Sequence, residues 1–244
     1  MVRAMSLWGK LAGAAAGLAI GGPIGALVGG VAGHFAVDRQ RGAAAAGHNE
    51  VAFTVGVIAL GAKMAKADGQ VTLDEVAAFK EVFKVPPGEA DNVARIFNLA
   101  KQDVAGYEAY AEQLAGMFKD NPHLLEDVLE GLFHIATADG VLHEAEEDYL
   151  KQVAKRFGFT KDAFKVIRAR FLPDDRRSPY RVLGIPAEIA DDALKSAYKK
   201  LVVENHPDRA IARGMPPEFI KIATEKLAAI NEAYDEIRRE RGLA

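Results

Sequence analysis

Apolar and polar positions divide this chain into three regions with different periodicities. From Leu11 to Val37 no side chain carries a formal charge, and His34 is the only titratable one. A helix of about 23 residues is roughly 35 Å long, enough to cross a ~30 Å hydrocarbon core. Glycine recurs at every fourth position: Gly9, Gly13, Gly17, Gly21, Gly25, Gly29 and Gly33. On a helix this spacing makes a stripe without side chains, along which a second helix can approach closely. In water each such glycine would cost about 1 kcal/mol of helix propensity, so the pattern suits a bilayer better. Pro23 lies mid-run and predicts a kink. The expectation is a single transmembrane helix that also pairs two copies through the stripe. A cleaved signal peptide fits poorly, because the run is longer than a typical apolar signal core. A soluble or surface-associated glycine-zipper hairpin is the remaining reading. Gly42 to Gly47 reads as a short linker, so that residues 1–47 form anchor plus linker.

From Val51 to about Leu172 the pattern is helical throughout, with no convincing strand. Apolar residues fall at spacings of three and four: Phe53, Val57, Leu60, Met64; Val76, Phe79, Val82, Phe83; Val93, Ile96, Phe97, Ala100; Leu114, Met117, Phe118. Pro86-Pro87-Gly88 and Asn121-Pro122 punctuate the run. Further helices are predicted near 124–138, 144–157 and 161–171. Two stretches match each other. Ala67-Asp68-Gly69 with Glu75 downstream recurs as Ala138-Asp139-Gly140 with Glu146 downstream. As a functional cluster, Asp68, Glu75, Asp139 and Glu146 would offer oxygen ligands to a hard divalent cation. As structure, the glycines end helices, and Thr72 with Glu75 forms a capping box that His143 with Glu146 repeats more weakly. His134 has apolar neighbours and reads as a partly buried core residue.

The third region is an amphipathic pair. Leu194, Ala197, Tyr198, Leu201 and Val202 make one stripe; Phe219, Ile222, Ala223, Leu227, Ile230, Tyr234 and Ile237 make another. Stripes of this kind pack as an antiparallel hairpin, with a short helix near Tyr180 to Leu183 closing one end. Asp191-Asp192 would cap the first long helix, and Pro216-Pro217 would start the second. Residues 173–177 form a polar linker before this region. His206-Pro207-Asp208 falls between the two long helices, where it cannot continue the first. Lys195, Lys199 and Lys200 project away from the apolar stripe.

Composition narrows the function. A net charge of -3 gives no global nucleic-acid signature, and the basic cluster is small and lacks an aromatic stacking platform. There is no cysteine, which excludes disulfides, thiolate metal sites and cysteine nucleophiles. No Ser-His-Asp arrangement, phosphate-cradling loop or HExxH is present, so the chain does not read as an enzyme.

Several of these segments resemble known families. Tyr180-Arg181-Val182-Leu183-Gly184, Ala197-Tyr198-Lys199-Lys200-Leu201, His206-Pro207-Asp208 and Ala229-Ile230-Asn231-Glu232-Ala233-Tyr234 resemble, in order, the motifs of the J-domain over residues 178–244. The Ala-Asp-Gly turns resemble the tellurite-resistance TerB-like helical domain over residues 48–172, a family for which metal binding has been proposed. Arg209 to Pro217, with the helix that follows, is similar to the DnaJ-like membrane co-chaperone family DjlA, which has the same three-part order. The resemblance implies an all-α protein: a glycine-zipper transmembrane helix, a TerB-like bundle and a J-domain hairpin.

It also implies a co-chaperone without bond chemistry or cofactor of its own. A DnaK-type chaperone would be bound through His206, Pro207, Asp208 and Arg209, with Lys195, Lys199 and Lys200 steering its acidic surface, and its ATP hydrolysis would be stimulated. The chain would cross the bacterial inner membrane once, with both C-terminal domains in the cytoplasm, where that partner finds ATP. The alternative function is a metal- or stress-sensing protein acting mainly through the TerB-like domain.

Overall fold

A helix without a polar face has to be buried, and residues 51–65 have almost none. In the computed structural model, which describes residues 21–32, 44–67, 90–102, 106–172, 178–213, 215 and 219–243, every regular element is a helix. The first, α1 (Gly22–Ala32), precedes α2 (Ala44–Ala67), whose residues 51–65 are all buried. Around α2 are packed α1, α3 (Ala90–Gln102), α4 (Tyr107–Met117), α5 (Pro122–Ala136) and α6 (Glu144–Arg156), and α7 (Lys161–Phe171) closes over α5 and α6. Close packing of α2 against α4 uses Gly56, where an added Cβ would lie 2.6 Å from the Leu114 side chain.

Local sequence explains the boundaries. Pro122 opens α5 in the first helical turn, where its missing N–H costs nothing. Gly140 and Gly158, at φ 86° and 84°, reverse the chain after α5 and α6. Thr160 caps α7, its hydroxyl accepting from the Ala163 N–H at 3.1 Å.

Two expectations need correction. Ala44 to Gly47, expected as part of a linker, begins α2, because alanine is the strongest helix former. The apolar N-terminal run was expected to pass through Pro23 as one kinked helix. Instead Gly21 and Gly22 take left-handed φ values of 62° and 58°, and α1 starts there. Pro23 cannot donate to a preceding turn, whereas it fits the first turn of a new helix. Among the described residues, no helix is long and apolar enough to cross a membrane. Gly13, Gly17 and Gly33 of the stripe lie outside the described residues, as does the linker at 173–177.

The C-terminal region comprises α8 (Pro179–Leu183), α9 (Asp191–Glu204), α10 (Pro207–Ala212) and α11 (Ile220–Arg241). α9 and α11 form the expected hairpin around Leu194, Ile230, Ala233 and Ile237. Tyr198 stacks on Tyr234 at 3.7 Å between centroids, and its hydroxyl donates to Asn231 Oδ1 at 3.0 Å. Arg241 ties the end of α11 to the start of α9: it donates to Asp191 Oδ1 at 2.7 Å, to the Tyr180 hydroxyl at 3.0 Å and to the Ala187 and Ile189 carbonyls at 2.7 Å.

The hairpin shares its core with the helices before it. Phe219 meets Phe53 of α2 edge-to-face at 4.8 Å, and Ile222 approaches Gly131 of α5 so closely that an added Cβ would lie 3.3 Å from it. Ala169 of α7 belongs to the hairpin's own core. At the centre of this seam are buried charges. Lys226 of α11 lies 2.8 Å from Glu126, 3.2 Å from Glu130 and 3.8 Å from Asp127, all on α5. Arg170 of α7 reaches Glu126 at 2.7 Å and Glu130 at 2.6 Å.

Burial alone would lower the pKa of both cations, but Glu126 and Glu130 more than offset it. Glu126 is held well below the usual carboxylate range: burial opposes this, and Lys226 and Arg170 prevail. Asp127 is the odd carboxylate. Burial, with repulsion from Glu130 and Glu126, pushes it from 3.8 to about 7 against the pull of Lys226 and Arg213.

Two outcomes follow from this seam. Lys226→Met leaves Glu126 and Glu130 sharing Arg170 and takes from Asp127 its nearest cation, and should cost about 3–5 kcal/mol. Equilibrium urea unfolding of the variant should separate the hairpin's transition from that of the helical domain. Asp127 carries a penalty as carboxylate that is absent below about pH 4, grows with pH, and is complete above about 7. Asp127→Asn should therefore stabilise the chain by up to roughly 4 kcal/mol above pH 7. Unfolding measured across pH should show that advantage shrinking below pH 7 and vanishing near pH 4.

Candidate functional site

α9 ends because Asn205 and His206-Pro207 give it no continuation. Asn205 folds back, its side-chain amide donating to the Leu201 carbonyl at 2.8 Å. His206 is then extended, at φ -64° and ψ 134°, and caps α10: its Nδ1 accepts from the Asp208 N–H at 3.2 Å. Pro207 occupies the first helical position, where its fixed φ pre-organises the turn. The tripeptide is thus the start of a short helix rather than a free loop, and only His206 lies outside it. The bond made by His206 is the local one its position predicts.

The far end of α10 is braced as well. Arg213 donates through Nη1 to the Glu204 carbonyl at 2.7 Å, closing the turn between α9 and α10. The Arg213 carbonyl accepts from the Asn121 side chain, just before α5, at 3.1 Å. Ala210 and Met215 are buried in the core shared with α2 and α5. One side of α10 is therefore fixed by the middle domain, and the other faces solvent.

On the solvent side Asp208 is 87% exposed, with the half-exposed His206 Nδ1 3.7 Å from its Oδ2. Arg209 is exposed beside it, and so are Lys195, Lys199 and Lys200 on α9, where Lys200 is only loosely paired with Glu204 at 3.9 Å. Val203 and Ile211 are large apolar side chains left 49% and 41% exposed. They flank the tripeptide on α9 and α10. The arrangement has one fixed carboxylate, a cationic helix and a small apolar patch. Such a surface can dock a protein partner.

The sequence singled out the tripeptide, Arg209 and the three lysines, and the structure places them on α9 and α10, with His206 as the cap between the two. The bracing set of Asn121, Arg213 and Met215 was not foreseen, nor were the exposed Val203 and Ile211. Arg170 and Lys226 were missed too. Their signal was Lys226, which sits in register with Ile222, Ala223 and Ile230 on the buried stripe of α11.

The carboxylate cluster is only partly described. Asp68 and Glu75 lie outside the described residues. Asp139 Oδ1 accepts from the Val141 N–H at 2.9 Å, and Glu146 Oε2 accepts from the His143 N–H at 3.1 Å, both as local turn and cap bonds. Among the described residues no group of three or more carboxylate or imidazole side chains is placed to hold a metal ion. His134 is largely buried at the seam, 3.2 Å from Glu225.

Comparison with known proteins agrees with this geometry. A DnaJ domain model matches residues 178–241, the model for the tellurite resistance protein TerB matches 54–169, and that for the co-chaperone DjlA transmembrane domain matches 5–48. No solved structure matches. Proteins named co-chaperone protein DjlA are similar along most of their length. That of Coxiella burnetii is 29% identical over 200 residues, covering 74% of each chain. That of Aliivibrio fischeri is 26% identical over 237 residues, covering 84% of each. That of Photobacterium profundum is 30% identical over 205 residues, covering 73% of this chain and 74% of its own. With a transmembrane-domain match, a TerB match and a DnaJ match in that order, the chain belongs to the DjlA co-chaperone family.

Proposed function

We propose that this co-chaperone binds a DnaK-type chaperone through α9 and α10 and stimulates its ATP hydrolysis. The observation that carries the reading is Asp208. It is almost fully exposed, yet its backbone is fixed by Pro207, by the His206 cap and by the closure of Arg213 onto Glu204. A carboxylate on a fixed backbone has only its own side-chain rotamers to order when it meets a basic group on a partner. Lys195, Lys199 and Lys200 would raise the encounter rate with an acidic surface. Val203 and Ile211 would supply the apolar contact beside the charge. The anchor would hold both folded domains on the cytoplasmic side of the inner membrane, where that partner has ATP.

Single-turnover ATP hydrolysis by a DnaK-type chaperone tests the proposal. The full chain should accelerate it, and Asp208→Asn should return the rate to near the unstimulated value. Acceleration that survives this substitution overturns the reading. Replacing Lys195, Lys199 and Lys200 together by Ala should act differently. Association should slow by about tenfold at low salt and lose most of its ionic-strength dependence, whereas the stimulated rate at saturating co-chaperone should change little. Stopped-flow binding at two salt concentrations separates the two effects.

A further inference from the structure

α1 is not merely laid against the protein. Ile24, Leu27 and Val28 turn one face inward and are buried, together with Gly25, against α2, α3 and α4. Ala26 and Gly29 face outward. A helix N-terminus leaves N–H groups without partners, and here a side chain of the middle domain supplies one. Gln113 of α4 accepts from the Ile24 N–H through Oε1 at 3.0 Å and donates through Nε2 to the Gly21 carbonyl at 2.9 Å. Glycine at 22 permits this approach, since a Cβ there would lie 2.7 Å from Gln113 Oε1. The recess therefore combines an apolar wall with a polar cap fitted to the start of this helix.

The docked arrangement and a spanning helix exclude one another. The left-handed glycines at 21 and 22 end any helix arriving from the N-terminal side. Uncharged sequence before them runs only from Leu11 to Ile20. Ten helical residues cover about 15 Å, half of a ~30 Å hydrocarbon core. A bilayer-spanning anchor needs Gly22 to Ala32 back.

We propose that the middle domain carries a berth for the C-terminal half of its own anchor, occupied before the anchor enters a bilayer and vacated on insertion. The docked form shields Ile24, Leu27 and Val28 from water when no bilayer holds them. Insertion withdraws them and empties the recess. The inserted form rests on the anchor reading; the docked form does not.

The chain has no cysteine, so engineered pairs report cleanly. Pro23→Cys with Gly116→Cys leaves Gln113 intact, and a side chain at 116 meets nothing within 4 Å. In chain synthesised without lipid, a short bismaleimide should join the two. In chain bound to phosphatidylethanolamine–phosphatidylglycerol vesicles, crosslinking should fall at least tenfold. Adding Gln113→Ala, which leaves the anchor sequence untouched, should lower crosslinking without lipid severalfold and leave vesicle binding equal or greater. No crosslink without lipid, or aggregation of the otherwise unaltered chain there, overturns the berth. A crosslink undiminished in the vesicle-bound fraction overturns the exclusion. Efficient crosslinking with no vesicle binding at all overturns the insertion by failure of the anchor, and leaves the berth standing.

Discussion

The five ionisable side chains packed between α5, α7 and α11, four of them buried, set the terms for the rest of the molecule. Lys226 and Arg170 lie within hydrogen-bond reach of two carboxylates, with Asp127 as an unbalanced third. Ions brought together in this way contribute little net stability compared with an apolar core, but they punish misplacement heavily. An apolar seam alone would tolerate sliding of α11 along α5. Here a slip by one turn would strand Lys226 away from the acids that hold its pKa up. The cluster fixes register more than it adds strength, and register is what the tripeptide at the same end of the hairpin requires.

That requirement follows the chain directly. α11 is pinned at one end by Phe219 against Phe53 and near its start by Lys226. At its other end, Arg241 gathers α8, α9 and the segment between them. α10 spans the open end of the hairpin, with Ala210 and Met215 in the shared core and Asn121 on the Arg213 carbonyl. The C-terminal hairpin thus gives one side of α11 and α10 to the middle domain. It leaves the outer face of α9 and one side of α10 exposed. A carboxylate presented by this frame moves with the middle domain as well as with its own hairpin.

Much of this was legible in the sequence because periodicity reports directly on packing. The stripes on α9 and α11, the short helix at Pro179–Leu183 and the Asn121-Pro122 start of α5 follow from spacing and from the chemistry of proline. The tripeptide's place was legible because His-Pro-Asp cannot extend a helix that Asn205 has already turned back. What was not legible depends on contacts between distant segments. Glu126, Asp127 and Glu130 look like a solvated face until Arg170 and Lys226 arrive from 40 and 100 residues away. Gln113 looks like an ordinary surface amide until Gly21 and Ile24 are brought to it. The break within the apolar N-terminal run was not legible for a different reason. A proline mid-run kinks a helix or begins a new one, and flanking glycines that accept positive φ decide for the second.

α2 connects these observations. It forms part of the wall of the recess that holds α1, and its Phe53 packs on Phe219 at the base of the hairpin that displays Asp208. Its buried stretch has no exposed residue to absorb a shift, and close-packed interiors transmit displacement rather than damping it. Emptying the recess removes packing from one side of α2 while the seam holds the other. The recess for α1 and the hairpin that carries Asp208 therefore share a structural element, so a change of packing in one bears on the other.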